Sequence, residues 1–192
     1  MDISRYLAKS GEKVDLAQWP TACDVDIDKK KVKEELLDQT ITEMQDLQEK
    51  LFADNHYGLV IVLQAMDAAG KDGTVKHVFA RLNPAGVKVQ SFKKPSSEEL
   101  DHDYMWRINK ALPGRGEIGI FNRSHYEEVV VARIHNLIKS DGMPEELVRK
   151  DIWESRYRQI RDWERYLSEN GFPMVKIFLH LSKNEQKKRL ID

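Results

Sequence analysis

One stretch restricts the fold more than any other: Gly58-Leu59-Val60-Ile61-Val62-Leu63-Gln64-Ala65-Met66-Asp67-Ala68-Ala69-Gly70-Lys71-Asp72-Gly73. Its unbroken apolar run, rich in β-branched residues, predicts a strand buried in a parallel sheet. Small residues and a Gly-Lys pair follow, then an amphipathic segment from Thr74 to Leu82 that reads as a helix. Strand, small-residue loop and Gly-Lys at a helix start together make a phosphate cradle. Backbone N–H groups and the positive end of the helix dipole face the anion, and the lysine adds a mobile charge. The match to G-x-x-x-x-G-K-[ST] is incomplete, because its first glycine falls on Ala65 and its Ser/Thr on Asp72. The bland reading is an ordinary strand-to-helix turn with a surface lysine. Asp67 inside the loop and Asp72 after Lys71 count against it, since acids repel a phosphate unless a cation lies between them. The loop is expected to take phosphate together with Mg2+. Its phosphate-binding set is Ala68, Ala69, Gly70, Lys71, Asp72 and Gly73.

The rest of the chain supplies the frame for this loop. Residues 1–28 read as an irregular N-terminal arm anchored by Trp19-Pro20, and residues 29–192 as one domain. From Lys29 to Phe52, Leu37, Ile41, Met44, Leu47 and Leu51 recur at helical spacing, which predicts a helix packed on the sheet through those five residues. A second strand is expected from Val87 to Phe92, ending in Lys93-Lys94-Pro95, and a third from Glu117 to Phe121, ending in Asn122-Arg123. Ser96/Glu99, Ser124/Glu127 and Ser182/Glu185 each have the spacing of a capping box. They predict helices over about 97–112, about 125–138 and from Ser182 onward. A long helix beyond Pro144 carries Leu147, Ile152, Trp153, Ile160, Trp163 and Leu167 inward, and a fourth strand spans Val175 to Leu181. Arg149, Arg156, Arg158, Arg161 and Arg165 alternate with acids along that helix and read as a solvated, ion-paired face. The alternation of strands and helices specifies an α/β, three-layer domain with a mainly parallel sheet flanked by helices. In such a sheet ligands sit beyond the carboxyl ends of the strands, where Asp67 to Lys71, Lys93-Lys94 and Asn122-Arg123 all fall.

Bulk properties narrow the partners. A formal net charge of −1 over 192 residues argues against a general nucleic-acid or membrane-surface binder. No apolar run approaches the roughly 20 residues of a membrane span. Cys23 is the single cysteine, so no disulfide can form within this sequence, and Met1 to Val14 has no apolar signal core. These features lead to an expectation of a cytoplasmic protein.

The charged clusters suit phosphoryl transfer, which needs in-line substrates, a bridging metal and cations on the transferring group. Lys71 is placed for the donor or transferring phosphate. Arg123 can fork onto phosphate oxygens. Lys93 and Lys94 extend a basic floor away from the loop, longer than one nucleotide needs and suited to a long polyanion. His125 beside Arg123 invites a phosphohistidine reading, but no paired histidine accompanies it and the Lys-Asp loop favours direct transfer.

Met66 to Gly73, Phe92-Lys93-Lys94-Pro95, His102-Asp103-Tyr104-Met105-Trp106-Arg107 and Gly119 to Glu127 together resemble the polyphosphate kinase 2 family, from about Tyr6 to the end of the chain. The resemblance implies a P-loop kinase-like fold and magnesium-assisted transfer between inorganic polyphosphate and nucleotides. It implies Asp67 and Asn122 as metal ligands and Asp67, Lys71, Asn122 and Arg123 as the catalytic set. Asn122 stands where many members have Asp, which removes a charge from the metal site. The segment from Asn122 to Glu127 resembles the branch that accepts AMP as well as ADP, with Tyr126, Glu127 and Arg133 on the nucleotide side. Adenine nucleotides are the expected partners, with guanine nucleotides left open, and a homo-oligomer is implied. A basic lid is implied beyond Asp192, with Lys188 and Arg189 resembling its beginning and Arg189 expected on phosphate. Two alternatives stand beside this reading: a non-catalytic polyphosphate- or nucleotide-binding module, if the lid is missing, and an ATP-dependent small-molecule kinase.

Overall fold

The computed structural model describes residues 3–9, 11–22, 36–140 and 142–191. The start of the expected first helix and Cys23 lie outside them. Four strands form one sheet: β1 (Leu59–Ala65), β2 (Val87–Ser91), β3 (Ile118–Asn122) and β4 (Met174–Leu179). Their spatial order is β2-β3-β1-β4, and every described pairing is parallel. Register explains why the charged clusters meet. Leu63 pairs with Asn122, Ser91 also pairs with Asn122, and Ala65 pairs with Leu179, so the carboxyl ends of all four strands finish together.

The apolar run of β1 alternates between two cores. Ile61 and Leu63 join Phe79, Leu82, Ile118 and Ile120 on one face, with Met44 and Leu51 packed alongside. Val60 and Val62 join Phe92, Met105, Ile108 and Phe121 on the other, with Tyr126 and Trp163 against them. On the first face lie α1 (Leu37–Asp54) and α2 (Lys71–Thr74), which runs on as a π turn over Val75–Phe79. On the second lie α4 (Trp106–Lys110), α5 (Glu127–Ile134) and α6 (Ile152–Glu169); α3 (Ser97–Leu100) precedes them, and α7 (Lys183–Ile191) follows β4. This is the expected three-layer arrangement.

Several elements depart from the sequence expectation. In α1, Ile41, Met44 and Leu51 face the sheet, but Leu47 is 63% exposed and Gln48 is buried in its place. Gln48 donates to the carbonyl of Asn83 and accepts from its N–H, both at 2.8 Å, so its amide behaves like a strand partner to backbone. The phosphate-loop helix starts at Lys71 rather than Thr74. The helix expected over 97–112 is interrupted, because the Asp103 carboxylate takes the N–H of Met105 and His102 stacks on Trp106. Of the capping boxes, Ser96/Glu99 forms completely. The Ser182 hydroxyl accepts from Glu185 N–H. The Ser124/Glu127 box does not form: Ser124 Oγ takes the N–H of Tyr126, and Glu127 turns toward Gln64 and Arg123. The helix it was to open ends at Ile134, ahead of Asn136 at φ 51 and a short 3-10 turn. Glu145–Leu147 is a separate 3-10 turn before α6.

On α6, Arg165 pairs with exposed acids as anticipated, but Arg156 is only 2% exposed. Its guanidinium lies over the Tyr104 ring and bonds the carbonyl of Glu128 at 2.9 Å. Periodicity cannot separate a buried, stacked arginine from a solvated one. In the arm, the described residues form two exposed 3-10 turns, Ser4–Tyr6 and Leu16–Gln18. No described helix is long and apolar enough to cross a membrane.

Candidate active site

The loop after β1 is built by two left-handed residues, Ala68 at φ 60 and Gly70 at φ 99, which turn successive N–H groups the same way. Gly70 leads directly into α2, and the hydroxyl of Thr74 donates back to its carbonyl at 3.1 Å. Lys71 is buried, and its Nζ donates to the carbonyls of Ala65 and Met66, each at 3.1 Å. Burial lowers its pKa first, Arg123 adds to this, and Asp67, Glu127 and Asp72 pull the other way. An ammonium held on two neutral carbonyls is ready to exchange them for a phosphate oxygen.

Arg123 follows β3 with a left-handed backbone, φ 64. Its guanidinium spans two carboxylates, donating to Asp67 Oδ1 at 2.7 Å and Glu127 Oε2 at 3.2 Å. Burial opposes its charge, but these two acids outweigh that and raise its pKa. Glu127 also accepts from Gln64 at 2.5 Å, so a chain of contacts runs from β1 through α5 to the loop. Beneath it, the Asn122 amide donates to Asp72 Oδ1.

These groups open on a cavity of about 820 Å³ at the carboxyl ends of the strands. Asp67, Ala68, Ala69, Gly70, Lys71, Asp72, Lys93, Lys94, Asn122, Arg123, Glu127 and Arg189 all line it. Gly73, Tyr126 and Arg133 do not. The Tyr126 hydroxyl donates to Glu164 at 2.6 Å, and Arg133 lies on the exposed side of α5 against the Tyr157 hydroxyl. His125 is fully buried, with Nε2 3.3 Å from Glu164 and its ring against Trp163.

Arg189 approaches from α7. It stands 3.4 Å from the carbonyls of Ala68 and Ala69 and pairs with Glu185, while Gln186 donates to the Asp67 carbonyl at 2.9 Å.

Two charged lining residues were not anticipated. Arg107 and Glu128 form a buried pair at 3.1 Å, and Arg107 also donates to the Lys93 carbonyl at 2.7 Å, tying the basic strand end to α5. The only signal in the sequence was that Arg107 ends the motif from His102 and Glu128 directly follows the one from Gly119 to Glu127; nothing there marks them as buried. The oxygen-bearing side chains that line the cavity are hard donors: the exposed Asp67 carboxylate, with Asp72, Asn122 and Glu127. Among the described residues no three His, Cys, Asp or Glu side chains gather into a metal cage. That donor set fits magnesium, which keeps its waters and takes one or two carboxylates plus substrate phosphates.

The Polyphosphate kinase 2 (PPK2) family profile matches residues 26–192. An ADP-polyphosphate phosphotransferase from Rhodopseudomonas palustris is 49% identical over 189 residues, covering 97% of this chain and 65% of that protein. An AMP/ADP-polyphosphate phosphotransferase from Meiothermus ruber is 47% identical over 147 residues, covering 77% of this chain and 51% of that protein. The chain thus spans between half and two-thirds of the length of these relatives. The crystal structure of Polyphosphate Kinase 2 from Arthrobacter aurescens superposes with a TM-score of 0.80 at 39% identity, over 96% of this chain and 62% of that one. Loop, sheet order and sequence agree: the chain belongs to the polyphosphate kinase 2 family, and its fold is the P-loop kinase-like one.

Proposed function

We propose that this protein transfers a phosphoryl group between inorganic polyphosphate and AMP or ADP by direct in-line transfer, reversibly and with Mg2+. The observation that carries this reading is the single cavity shared by the phosphate loop, Lys71, Arg123, Lys93, Lys94 and Arg189. Its row of cations is longer than a nucleotide alone requires. The relatives named above act on polyphosphate with ADP, or with AMP and ADP, according to their names.

In this reading the loop N–H groups and Lys71 hold one phosphate. Arg123 leaves Asp67 and Glu127 to fork onto the transferring group, whose charge it neutralises as the bond breaks. Lys93 and Lys94 support the chain of phosphates beyond it, and Glu127, once released, faces the nucleotide. Magnesium, held by Asp67 and the Asn122 oxygen, would supply charge neutralisation between the phosphates. We place the protein in the cytoplasm, as the single cysteine suits a reducing compartment.

The test is incubation with Mg2+, long-chain polyphosphate and AMP, following ADP and ATP by chromatography, with controls lacking polyphosphate or containing EDTA. Formation of both nucleotides only in the complete mixture is the expected result. Nucleotide turnover without polyphosphate would overturn the reading in favour of another donor. GMP in place of AMP tests guanine use, and light scattering tests the homo-oligomer implied by the family resemblance.

A further inference from the structure

Arg123 is held in an unusual way. Its left-handed backbone is one that side chains other than those of Gly, Asn and Asp seldom adopt. Such a conformation persists where the surroundings over-determine it. On one side the N–H of Arg123 donates to the Leu63 carbonyl at 3.1 Å, which continues the ladder of β1. On the other side the next three residues are fastened down in turn. Ser124 is wholly buried, taking the N–H of Tyr126 at 3.2 Å. His125 is wholly buried with its ring 5.0 Å from that of Trp163. Tyr126 packs against the core, and its hydroxyl points away from the cavity.

Both rings end on the same carboxylate. Glu164 Oε1 accepts from the Tyr126 hydroxyl at 2.6 Å and lies 3.3 Å from His125 Nε2, while Oε2 accepts from Lys176 Nζ at 2.6 Å. One acid on α6 therefore joins the β3–α5 turn to β4. Burial alone would raise its pKa, but the hydrogen bonds from His125, Lys176 and Tyr126 hold it at about 2. It stays an acceptor throughout the neutral range. Neither Glu164, His125 nor Lys176 lines the phosphate cavity.

We infer that Glu164 is a positioning residue for phosphoryl transfer: it fixes the turn that aims the Arg123 guanidinium, without itself meeting substrate. This rests on the proposed function. The physical reason is that a guanidinium displaced by about 1 Å from the transferring group can cost on the order of 100-fold in rate. A bond network that only stabilises the fold would not act selectively on the chemical step.

The experiment compares Glu164→Gln, Lys176→Met and the double variant with the parent chain, in steady-state transfer from polyphosphate to AMP and in thermal melting. Glu164→Gln keeps the shape but offers an amide to donors. Its kcat is expected to fall by roughly 10- to 100-fold, with KM for AMP changing by less than about twofold. The double variant also removes the Lys176 ammonium, which has lost its carboxylate and keeps the Tyr126 hydroxyl at 3.1 Å, so it is expected to recover melting temperature but not kcat. Recovery of kcat in step with melting temperature would overturn the inference, as would a Glu164→Gln enzyme of normal kcat. If Glu164→Gln does not fold, Tyr126→Phe removes a single hydroxyl, and the same split in kcat and KM decides. A second arm needs no turnover: the Arg123 side-chain Nε–H resonance, assigned with Arg123→Lys, is followed by NMR during titration with inorganic tripolyphosphate. A shifted or broadened resonance and weaker binding are expected in Glu164→Gln, and an unchanged resonance overturns the inference. If the parent chain shows no transfer at all, the functional reading fails, while this second arm still decides the role of Glu164.

Discussion

Replacing Glu128 with Gln removes one charge from between two buried guanidiniums. Glu128 and Arg107 are each 8% exposed and Arg156 is 2% exposed. Glu128 Oε1 accepts from Arg107 at 3.1 Å, and its Oε2 lies 3.5 Å from Arg156. At this exposure little water reaches the pair to take over the neutralisation. Breaking a buried pair by removing one partner costs about 3–5 kcal/mol. Gln keeps an acceptor oxygen, and Glu99 remains 3.7 Å from Arg107, so the lower end, about 3 kcal/mol, is expected. For a chain of this size that lowers the melting temperature by roughly 6–12 °C. Urea unfolding followed by circular dichroism measures it, with a lower midpoint at an unchanged slope. The triple replacement Arg107→Met, Glu128→Leu and Arg156→Met should instead stay within about 1 kcal/mol of the parent, since apolar residues of similar volume need no counter-charge. A Glu128→Gln variant losing less than about 1 kcal/mol would refute this reasoning and mean that the guanidiniums are neutralised by solvent.

Three more outcomes are expected. Lys71→Ala should leave the melting curve nearly unchanged and lower transfer by about 1,000-fold or more; near-normal turnover would remove Lys71 from the chemistry. Asn122→Asp sets a carboxylate against Asp72 where an amide donated before, so its melting temperature should drop in EDTA and recover in Mg2+, with a stronger metal dependence of turnover. Equal melting with and without metal would show that position 122 does not meet the ion. Glu164 has a depressed pKa in the folded chain, so its contribution to stability is complete above the ordinary carboxylate value of 4.5 and is lost as the pH falls toward about 2. Melting temperature against pH should slope through that window in the parent, and more shallowly in Glu164→Gln.

The fold was legible wherever one signal dominated. The apolar run of β1 reads as a buried strand and forms one, and the small-residue loop after it lines the cavity at the carboxyl end of the sheet. Register then did what reading along the chain cannot show directly, bringing Lys93, Asn122 and Arg123 to the end of one sheet. The misreadings share a cause. Gln48, Arg156 and Glu128 are polar residues that patterning assigns to water, yet each is buried because a specific partner satisfies it. Partners distant in sequence leave no local trace. Ser124 with Glu127 had the spacing of a cap, but Gln64 and Arg123 compete for the same carboxylate and win it. The family resemblance puts Tyr126 on the nucleotide side, whereas Glu164 on another helix draws its hydroxyl elsewhere.

The order of the strands also bears on how such a site comes into being. Val60 on the inner strand β1 pairs with Gly119 on one side and Met174 on the other, and the described neighbours that are consecutive in the chain, β2 and β3, also pair in parallel. Parallel pairing of this kind has no hairpin to start from and must close long loops before any contact is rewarded. The phosphate loop hangs from β1, and its carbonyls meet Gln186 and Arg189 of α7, more than a hundred residues further along the chain. A half-assembled sheet therefore has no cradle. On the proposed function, polyphosphate or nucleotide would be bound only by the finished fold, and ligand should slow global unfolding rather than protect one region in isolation.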